Sequence, residues 1–190
     1  MRIIRAAHHR VMPWKNGGGV TREVLAAPDP DDPSQFLWRI SIATVAQAGP
    51  FSRFPGIDRS IAVLDGAGMR LHVDGKPATV SRGGTPFRFS GDADVSSELI
   101  AGETMDLNVM TRRGRFDHAM RRIDCTTTFV VDASLTVLIA STPVRITLET
   151  RTVDLNRFDA LTDISSGECY CFEAERACDV FAIGLEPIAP

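Results

Sequence analysis

The chain has 190 residues, of which 44% are hydrophobic, and this is enough for one ordinary domain or two small ones with a real core. Its net charge of -3, from 21 basic and 24 acidic residues, excludes an overall positive electrostatic field that would bind nucleic acid or anionic lipid. The charged start at residues 1–5 and the lack of an apolar run of about eighteen residues argue against a signal peptide and a membrane span. We therefore expect a cytoplasmic protein.

A glycine-rich segment at residues 12–23 is the first distinctive feature. It reads Met-Pro-Trp-Lys-Asn-Gly-Gly-Gly-Val-Thr-Arg-Glu, and three consecutive glycines cost roughly 0.5–1 kcal/mol each in chain entropy when ordered. Such a run indicates backbone that approaches another group closely. A Walker phosphate loop is excluded, because Lys15 precedes the glycines and residues 20–25 alternate like a strand. The amides of Gly17 to Gly19 could still hold a carboxylate.

Strand-like sequence follows an exposed loop of prolines and aspartates at residues 28–33. From residue 36 to residue 185, apolar residues come in short runs that often alternate with polar ones and are cut by Gly, Pro or Asp-Gly. This pattern is typical of strands and hairpins. The run 36–45 has two different faces, with Trp38, Ile40, Ile42 and Thr44 on one and Arg39, Ser41 and Ala43 on the other.

The loop from Gly49 to Ser60 carries two aromatic residues and two arginines into the next strand. Arg59, at the start of that strand, could form a bidentate fork with a ligand carboxylate. The alternative is a surface arginine paired with Asp58 or Asp65. A Pro-Gly turn fixes the chain just before Arg59 and could preorganise its guanidinium, so both interpretations stay open.

A strand with one mixed face is predicted at residues 103–112. Met105, Leu107, Val109 and Thr111 form one stripe, and Asp106, Asn108, Met110 and Arg112 form the other. The mixed stripe could line a pocket in the mouth of a barrel. In the alternative it faces solvent, which would leave Met110 exposed.

Residues 112–122 join the two halves of the chain and are locally basic. The pattern of the overlapping residues 116–123 predicts a short helix. The segment could touch nucleic acid, but the overall acidity of the chain favours a solvated linker.

The two halves resemble each other in strand pattern. Ile61 to Leu64 matches Leu135 to Leu138 at an offset of 74 residues, and Met105 to Leu107 matches Cys178 to Val180 at an offset of 73. The spacing predicts a duplicated all-β unit, two small sandwiches or barrels packed so that sheet edges are covered. Coincidental similarity between amphipathic strands is the alternative.

The four cysteines all lie in the last third of the chain, a distribution that suits neither a disulfide framework nor a zinc module. We expect reduced thiols that pack as small hydrophobic side chains. Cys169 and Cys171 would share one face of a strand, which leaves a two-thiolate metal site as the alternative. No Gly-x-Ser-x-Gly elbow or His-paired cysteine marks a nucleophile, so catalytic residues stay unknown.

Together these segments resemble the HutD/Ves family, whose signature Met-Pro-Trp-Lys-Asn-Gly-Gly-Gly-x-Thr-x-Glu is matched by residues 12–23. The resemblance covers residues 1 to about 120, and only the strand pattern matches beyond. It continues through residues 38–43, 49–52, 54–59 and 105–112.

The resemblance implies an all-β bicupin, two RmlC-like double-stranded β-helix barrels in one chain. The first barrel, with its N-terminal signature segment, would take residues 1–115, and a second, degenerate barrel would take residues 116–190 in one compact unit. Metal-binding cupins use a His-x-His cluster, whereas this chain has only His8, His9, His72 and His118. We therefore expect no metal and no cofactor.

The implied function is metal-independent binding of a small carboxylate metabolite of histidine degradation, urocanate or formylglutamate, in a regulatory role. The alternative is a cupin-type isomerase or hydrolase acting on a small carboxylic acid, with Glu23 or Asp106 as general base. Direct transcriptional control through the basic linker ranks last, and we expect neither a nucleic-acid nor a membrane partner. Uncovered sheet edges would allow a homodimer.

The family's proposed ligand pocket includes the arginine of a Phe-Pro-Gly-x-Asp-Arg motif, which is Arg59 in this chain. Trp14 would offer a flat face to a planar ligand. The complete expected ligand-binding set is Arg59, Trp14, Lys15, Asn16, Gly17, Gly18, Thr21, Glu23, Asp106 and Asn108.

Overall fold

The computed structural model describes residues 1–15, 17–124, 128–174 and 179–189. Apart from a single 3-10 turn at Ala6–His8, its regular elements are all strands, so the predicted all-β class is confirmed. In chain order the strands are β1 Arg2–Ile4, β2 Arg10–Pro13, β3 Gly19–Pro28, β4 Phe36–Val45, β5 Gly49–Pro50, β6 Ile57–Asp65, β7 Gly68–Val73, β8 Lys76–Ser81, β9 Phe87–Ser90, β10 Val95–Leu99, β11 Thr104–Arg112, β12 Phe116–Asp124, β13 Phe129–Val130, β14 Leu135–Ala140, β15 Val144–Leu148, β16 Arg151–Leu155, β17 Ala160–Ile164, β18 Cys169–Glu173 and β19 Asp179–Pro187.

One compact unit runs from Arg10 to Asp117. It contains a six-stranded sheet in the order β2-β3-β4-β11-β6-β9 and a four-stranded sheet in the order β5-β10-β7-β8. Apolar side chains from both sheets, including Ile61, Met69 and Leu71, form its core. This is a cupin-like unit, and it carries the cavity described below.

The other compact unit combines Met1–His9 with His118–Ile188. Its sheets are ordered β1-β17-β14-β19-β12 and β13-β18-β15-β16, and its core is apolar around Leu138, Ile146 and Tyr170. The first nine residues, which the sequence analysis assigned to the first barrel, belong here because β1 pairs with β17.

The strand orders of the two units show the duplication. β12, β19, β14 and β17 repeat the order of β4, β11, β6 and β9, and the four-stranded sheets match strand for strand. The described residues of the segments matched by sequence therefore fall on equivalent strands, but not in register. Ile61 and Val63 pack in the core of their unit, whereas on β14 the residues in the core are Leu138 and Ala140 rather than Leu135 and Val137, their partners in the sequence match. A shift by an odd number of residues turns a strand over, and this accounts for the difference.

The helix predicted at residues 116–123 is wrong, because these residues form strand β12. Phe116, Met120 and Ile123 are spaced like the apolar face of a helix. The alternation of a strand was obscured because one of its inward-facing positions holds a polar residue. This residue is His118, which is buried like Met120, two positions further along the strand.

The basic segment 112–122 is the end of β11, a turn at residues 113–115 and most of β12 rather than a linker, and its arginines form ion pairs. The pairs are Arg112 with Asp29, Arg113 with Asp58 and Asp92, Arg115 with Asp31, Arg121 with Asp132, and Arg122 with Asp179. Asp29, which was expected in an exposed loop, is buried.

Cys169 and Cys171 lie two residues apart on β18, as predicted, but both are exposed free thiols rather than buried ones. The interpretation of packed thiols is therefore wrong for these two, while Cys125 and Cys178 lie outside the described residues. In the described ranges, no three His, Cys, Asp or Glu side chains are grouped as metal ligands. No helix in those ranges is long and apolar enough to cross a membrane.

Candidate functional site

A cavity of about 370 Å³ opens in the unit formed by residues 10–117. One wall comes from the six-stranded sheet and the other from the turn after β2 and the loop after β5. The sheet contributes Thr21, Arg39, Ser41, Ala43, Val45, Arg59, Asp106, Asn108 and Met110. The turn contributes Trp14 and Lys15, the end of β5 contributes Pro50, and the loop contributes Phe51, Ser52 and Phe54.

The polar residues of the sheet wall are placed by strand register. β11 lies between β4 and β6, and alternate residues of a strand point to the same face. Met110 lies opposite both Arg39 and Arg59, and Asn108 lies two residues further along β11. Asp106 precedes Asn108 by two residues on the same face of β11. The two arginines therefore lie at one end of the wall, and the side-chain oxygens of Asp106 and Asn108 lie towards the other.

Arg59 is the most constrained cation of the cavity. Its side chain is only 4% exposed, and the guanidinium carbon lies 4.9 Å from the ring centre of Phe89 and 5.3 Å from those of Phe51 and Phe54. Nη1 donates to the Ser52 carbonyl over 3.2 Å, while the buried Nε has no hydrogen-bond partner in the described chain. Burial lowers the pKa of Arg59 to about 10, which leaves it a cation at neutral pH.

Arg39 adds a second guanidinium. It lies 4.9 Å from the ring centre of Phe36 and 5.3 Å from that of Phe54, and its Nη2 is 3.3 Å from the Met110 sulfur. Burial lowers its pKa, and the charge of Glu23 opposes this shift. The Nε of Arg39 is also buried without a partner in the described ranges. The same end of the cavity thus holds two incompletely satisfied guanidinium groups.

Asp106 and Asn108 supply acceptor oxygens. They are 1% and 7% exposed, and Oδ1 of each has no hydrogen-bond partner in the described part of the chain. Burial raises the pKa of Asp106 to about 7, and the charge of Arg59 limits the rise. An irregularity in the β11–β6 pairing falls between Met105 and Asp106, and such bulges re-aim side chains near functional sites.

Trp14 forms the wall of the cavity on the side of the glycine-rich segment. Its indole Nε1 donates to the Thr21 hydroxyl over 2.8 Å, which fixes the ring. A Cβ at Gly19 would lie 2.3 Å from the Thr44 carbonyl oxygen and 3.0 Å from two Trp14 ring carbons. Glycine is therefore needed at position 19 because the chain packs against the tryptophan and β4.

Six of the ten predicted site residues line the cavity: Trp14, Lys15, Thr21, Arg59, Asp106 and Asn108. Asn16 lies outside the described residues. Gly17, Gly18 and Glu23 are not part of the cavity wall. The Gly17 amide donates to the Trp14 carbonyl over 3.0 Å, so it closes a turn instead of facing the cavity. Glu23 lies on β3, directly opposite Ser41 of β4.

The alternative partners considered for Arg59 are occupied elsewhere. Asp58 pairs with Arg88 and Arg113, and Asp65 pairs with Arg82. This leaves Arg59 inside the cavity wall, as the pocket interpretation requires.

The expected set omitted Arg39, Ser41, Phe51 and Phe54. Arg39 and Ser41 lie on the polar face of the run 36–45, and that alternation was the available signal. A polar strand face usually faces solvent, so the alternation by itself did not indicate that Arg39 and Ser41 line a cavity. In this sheet both faces of β4 are largely buried.

The model of the HutD family matches residues 6–182 of this chain. The chain belongs to the HutD family. A Pseudomonas putida protein described as an uncharacterized 21.2 kDa protein in the hutC 3′ region is 37% identical over 163 residues, 85% of each chain. Protein Ves of Citrobacter koseri is 44% identical over 119 residues, 61% of each chain.

Among solved structures, HutD from Pseudomonas fluorescens SBW25, determined in a formate condition, covers 99% of both chains with 29% identity and a TM-score of 0.83. A cupin 2 conserved barrel domain protein from Leptotrichia buccalis matches 95% of this chain with 8% identity and a TM-score of 0.59. At that identity only the fold is shared. This member of the HutD family therefore has the cupin-like fold that its sequence resemblance implied.

Proposed function

We propose that this HutD-family protein binds a small carboxylate metabolite in the cavity, without a metal, and senses or sequesters it in a regulatory role. The observation that carries the proposal is the buried guanidinium of Arg59, held by three aromatic rings and paired with no carboxylate within 4 Å among the described residues. A buried cation without a direct ion pair is costly, and a bound anion offsets that cost.

The size and lining of the cavity fit a small acid that has a flat or amide portion. A volume of about 370 Å³ lies at the small end of ligand sites, and Trp14 and Phe51 offer apolar faces beside the polar groups. Urocanate and formylglutamate both meet this description. The hutC 3′ region named for the Pseudomonas putida relative supports a link with histidine utilisation.

The contacts available are enough for useful affinity. Charge-assisted hydrogen bonds contribute about 1.5–3 kcal/mol each, so two or three of them with a stacked ring give dissociation constants of about micromolar order. Arg59 would hold the carboxylate and Lys15, at the exposed rim, would add attraction.

Calorimetric titration with urocanate and with formylglutamate tests the proposal. We expect at least one of them to bind, and Arg59→Ala to weaken binding by about 100-fold or more. Arg53→Ala is the matched control, because Arg53 lies in the loop after β5, close in sequence to Arg59, but is exposed and pairs with Asp94. Binding of neither acid, or equal effects of the two substitutions, would contradict the proposal.

A second candidate function is acid–base catalysis on the bound acid, and the observation that favours it is Asp106. Its carboxyl is buried in the cavity with an unpaired oxygen, and its pKa of about 7 suits a general base at neutral pH. Glu23 does not line the cavity and does not share this position. Product detection by mass spectrometry after incubation with the two acids, with Asp106→Asn as the inactive variant, distinguishes turnover from binding.

We propose that this role is carried out in the cytoplasm. A homodimer through an uncovered sheet edge, such as strand β2 at the end of the six-stranded sheet, is a further proposal. Sedimentation velocity on the full chain tests it, and a single monomeric species at high concentration would contradict it.

A further inference from the structure

The cavity has two chemically different ends, with Arg39 and Arg59 at one and Asp106 and Asn108 towards the other. The end with Asp106 and Asn108 restricts the ligand further than the requirement for a carboxylate does. We propose that Asp106 and Asn108 form a hydrogen-bond-accepting subsite that selects acids carrying an N–H or O–H donor on the side away from the carboxylate. This inference rests on the proposed function, because it takes the carboxylate to be held by Arg59.

The separation of donors and acceptors follows from β11. Arg39 and Arg59 flank Met110, whereas Asp106 lies four residues away along the strand, which corresponds to about 13 Å between Cα positions. Both ends line the same cavity. A single small ligand can therefore present an anionic group to one end and another group to the other.

The chemistry of the second end is that of an acceptor. Oδ1 of Asp106 and Oδ1 of Asn108 are both buried and have no hydrogen-bond partner in the described ranges. A ligand group that is itself only an acceptor would leave these oxygens unpaired and would face a buried negative charge. Sites of this kind reject analogues that lack the donor more strongly than apolar pockets reject a missing methylene, because buried polar groups are then left unsatisfied.

The protonation state of Asp106 should control this selection. The charged groups that line the cavity around it are cations, Arg59 from β6, Arg39 from β4 and Lys15 from the turn after β2. The acidic neighbour on the same face of the sheet is Glu23 on β3, which lies opposite Ser41 and whose charge acts on Arg39. Directly opposite Asp106 the neighbouring strands present Ala43 and Val63, which do not titrate. With burial raising the pKa of Asp106 to about 7, the carboxyl is ionised at pH 8.5 and protonated at pH 5.5. In the protonated form it can donate a hydrogen bond as well as accept one.

Two five-membered-ring acids that differ in one group test the subsite. (E)-3-(pyrrol-2-yl)propenoate carries a ring N–H that does not titrate in this range, and (E)-3-(2-furyl)propenoate has a ring oxygen in its place. At pH 8.5 we expect the pyrrole acid to bind at least 10-fold more tightly than the furan acid. At pH 5.5 the ratio should fall below about 3-fold, because protonated Asp106 can donate to the furan oxygen.

The variants separate this inference from the proposed function. Asp106→Asn should reduce the ratio at pH 8.5 to about 3-fold or less, while Asp65→Asn, on β6 but outside the cavity wall, should keep it. Equal binding of the two acids by the unmodified protein at pH 8.5 would overturn the donor subsite and leave carboxylate binding intact. If neither of the two acids binds, and urocanate and formylglutamate do not bind either, both the donor subsite and the proposed function are overturned. Should Asp106→Asn fail to fold, the pH dependence of the ratio in the unmodified protein decides alone.

Discussion

Arg59 on β6 and Asp106 on β11 are both almost completely buried in one cavity wall, yet they do not form an ion pair within 4 Å. Their charges still act on each other, since each moves the other's pKa towards its charged form. A direct salt bridge would have satisfied both groups within the protein. Instead each keeps an unsatisfied atom, which is the arrangement expected when a ligand completes the site.

The pH dependence of stability should show the cost of burying Asp106. Its pKa is about 3.9 in an unfolded chain and about 7 in the folded protein, so the folded state binds more protons between these values. This contribution therefore destabilises the fold as pH rises from about 4 to 7, by about 4 kcal/mol when complete.

Asp106→Asn removes that titration. Relative to the unmodified protein, we expect its free energy of unfolding to improve as pH rises from 4.5 to 8.5, as measured by urea denaturation at each pH. Asp94→Asn is the control, because Asp94 is exposed and paired with Arg53. A constant difference between Asp106→Asn and the unmodified protein across this range would contradict the assignment.

Tryptophan fluorescence should report ligand binding through a single residue. Trp14 lines the cavity, whereas Trp38, the other tryptophan, is buried outside the cavity wall. A conjugated acid such as urocanate should quench the emission of the unmodified protein on binding. The response should disappear in Trp14→Phe and persist in Trp38→Phe, and the reverse result would place the ligand elsewhere.

The glycine at position 19 should be far less replaceable than the one at position 49. Gly19→Ala places a Cβ 2.3 Å from the Thr44 carbonyl oxygen and against the Trp14 ring, whereas a Cβ at Gly49 meets nothing within 4 Å. We expect Gly19→Ala to cost about 1–3 kcal/mol in unfolding free energy and to weaken ligand binding through Trp14. Gly49→Ala should change the unfolding free energy by less than about 0.5 kcal/mol. Thermal and urea unfolding of both variants give the comparison.

Much of the fold could be predicted from the sequence because strand alternation and turn glycines are local signals. The duplication was visible for the same reason, since equivalent strands keep similar patterns. Register was not visible, because an odd shift of the match exchanges the two faces of a strand without changing its alternating pattern. On β14 this places Leu138 and Ala140 in the core rather than Leu135 and Val137. Strand β12 was missed because His118 occupies an inward position where an apolar residue was expected.

The candidate site was only partly predictable. Asp106 was identified from the mixed stripe of one strand, and Arg59 from the Pro-Gly turn before it and the motif that ends on it. Arg39 was not identified, because its proximity to Arg59 depends on both strands pairing with β11. The glycines were assigned to ligand binding from their entropy cost. At Gly19 the close approach is real, but the neighbouring groups are Trp14 and Thr44 rather than a ligand.

The most direct test of carboxylate binding is a crystal structure of the protein grown with whichever of urocanate or formylglutamate binds in solution. The account predicts ligand density in the cavity, with a carboxylate oxygen within about 3 Å of a guanidinium nitrogen of Arg59. Density for the ligand at another position, with Arg59 contacting only protein, would contradict it.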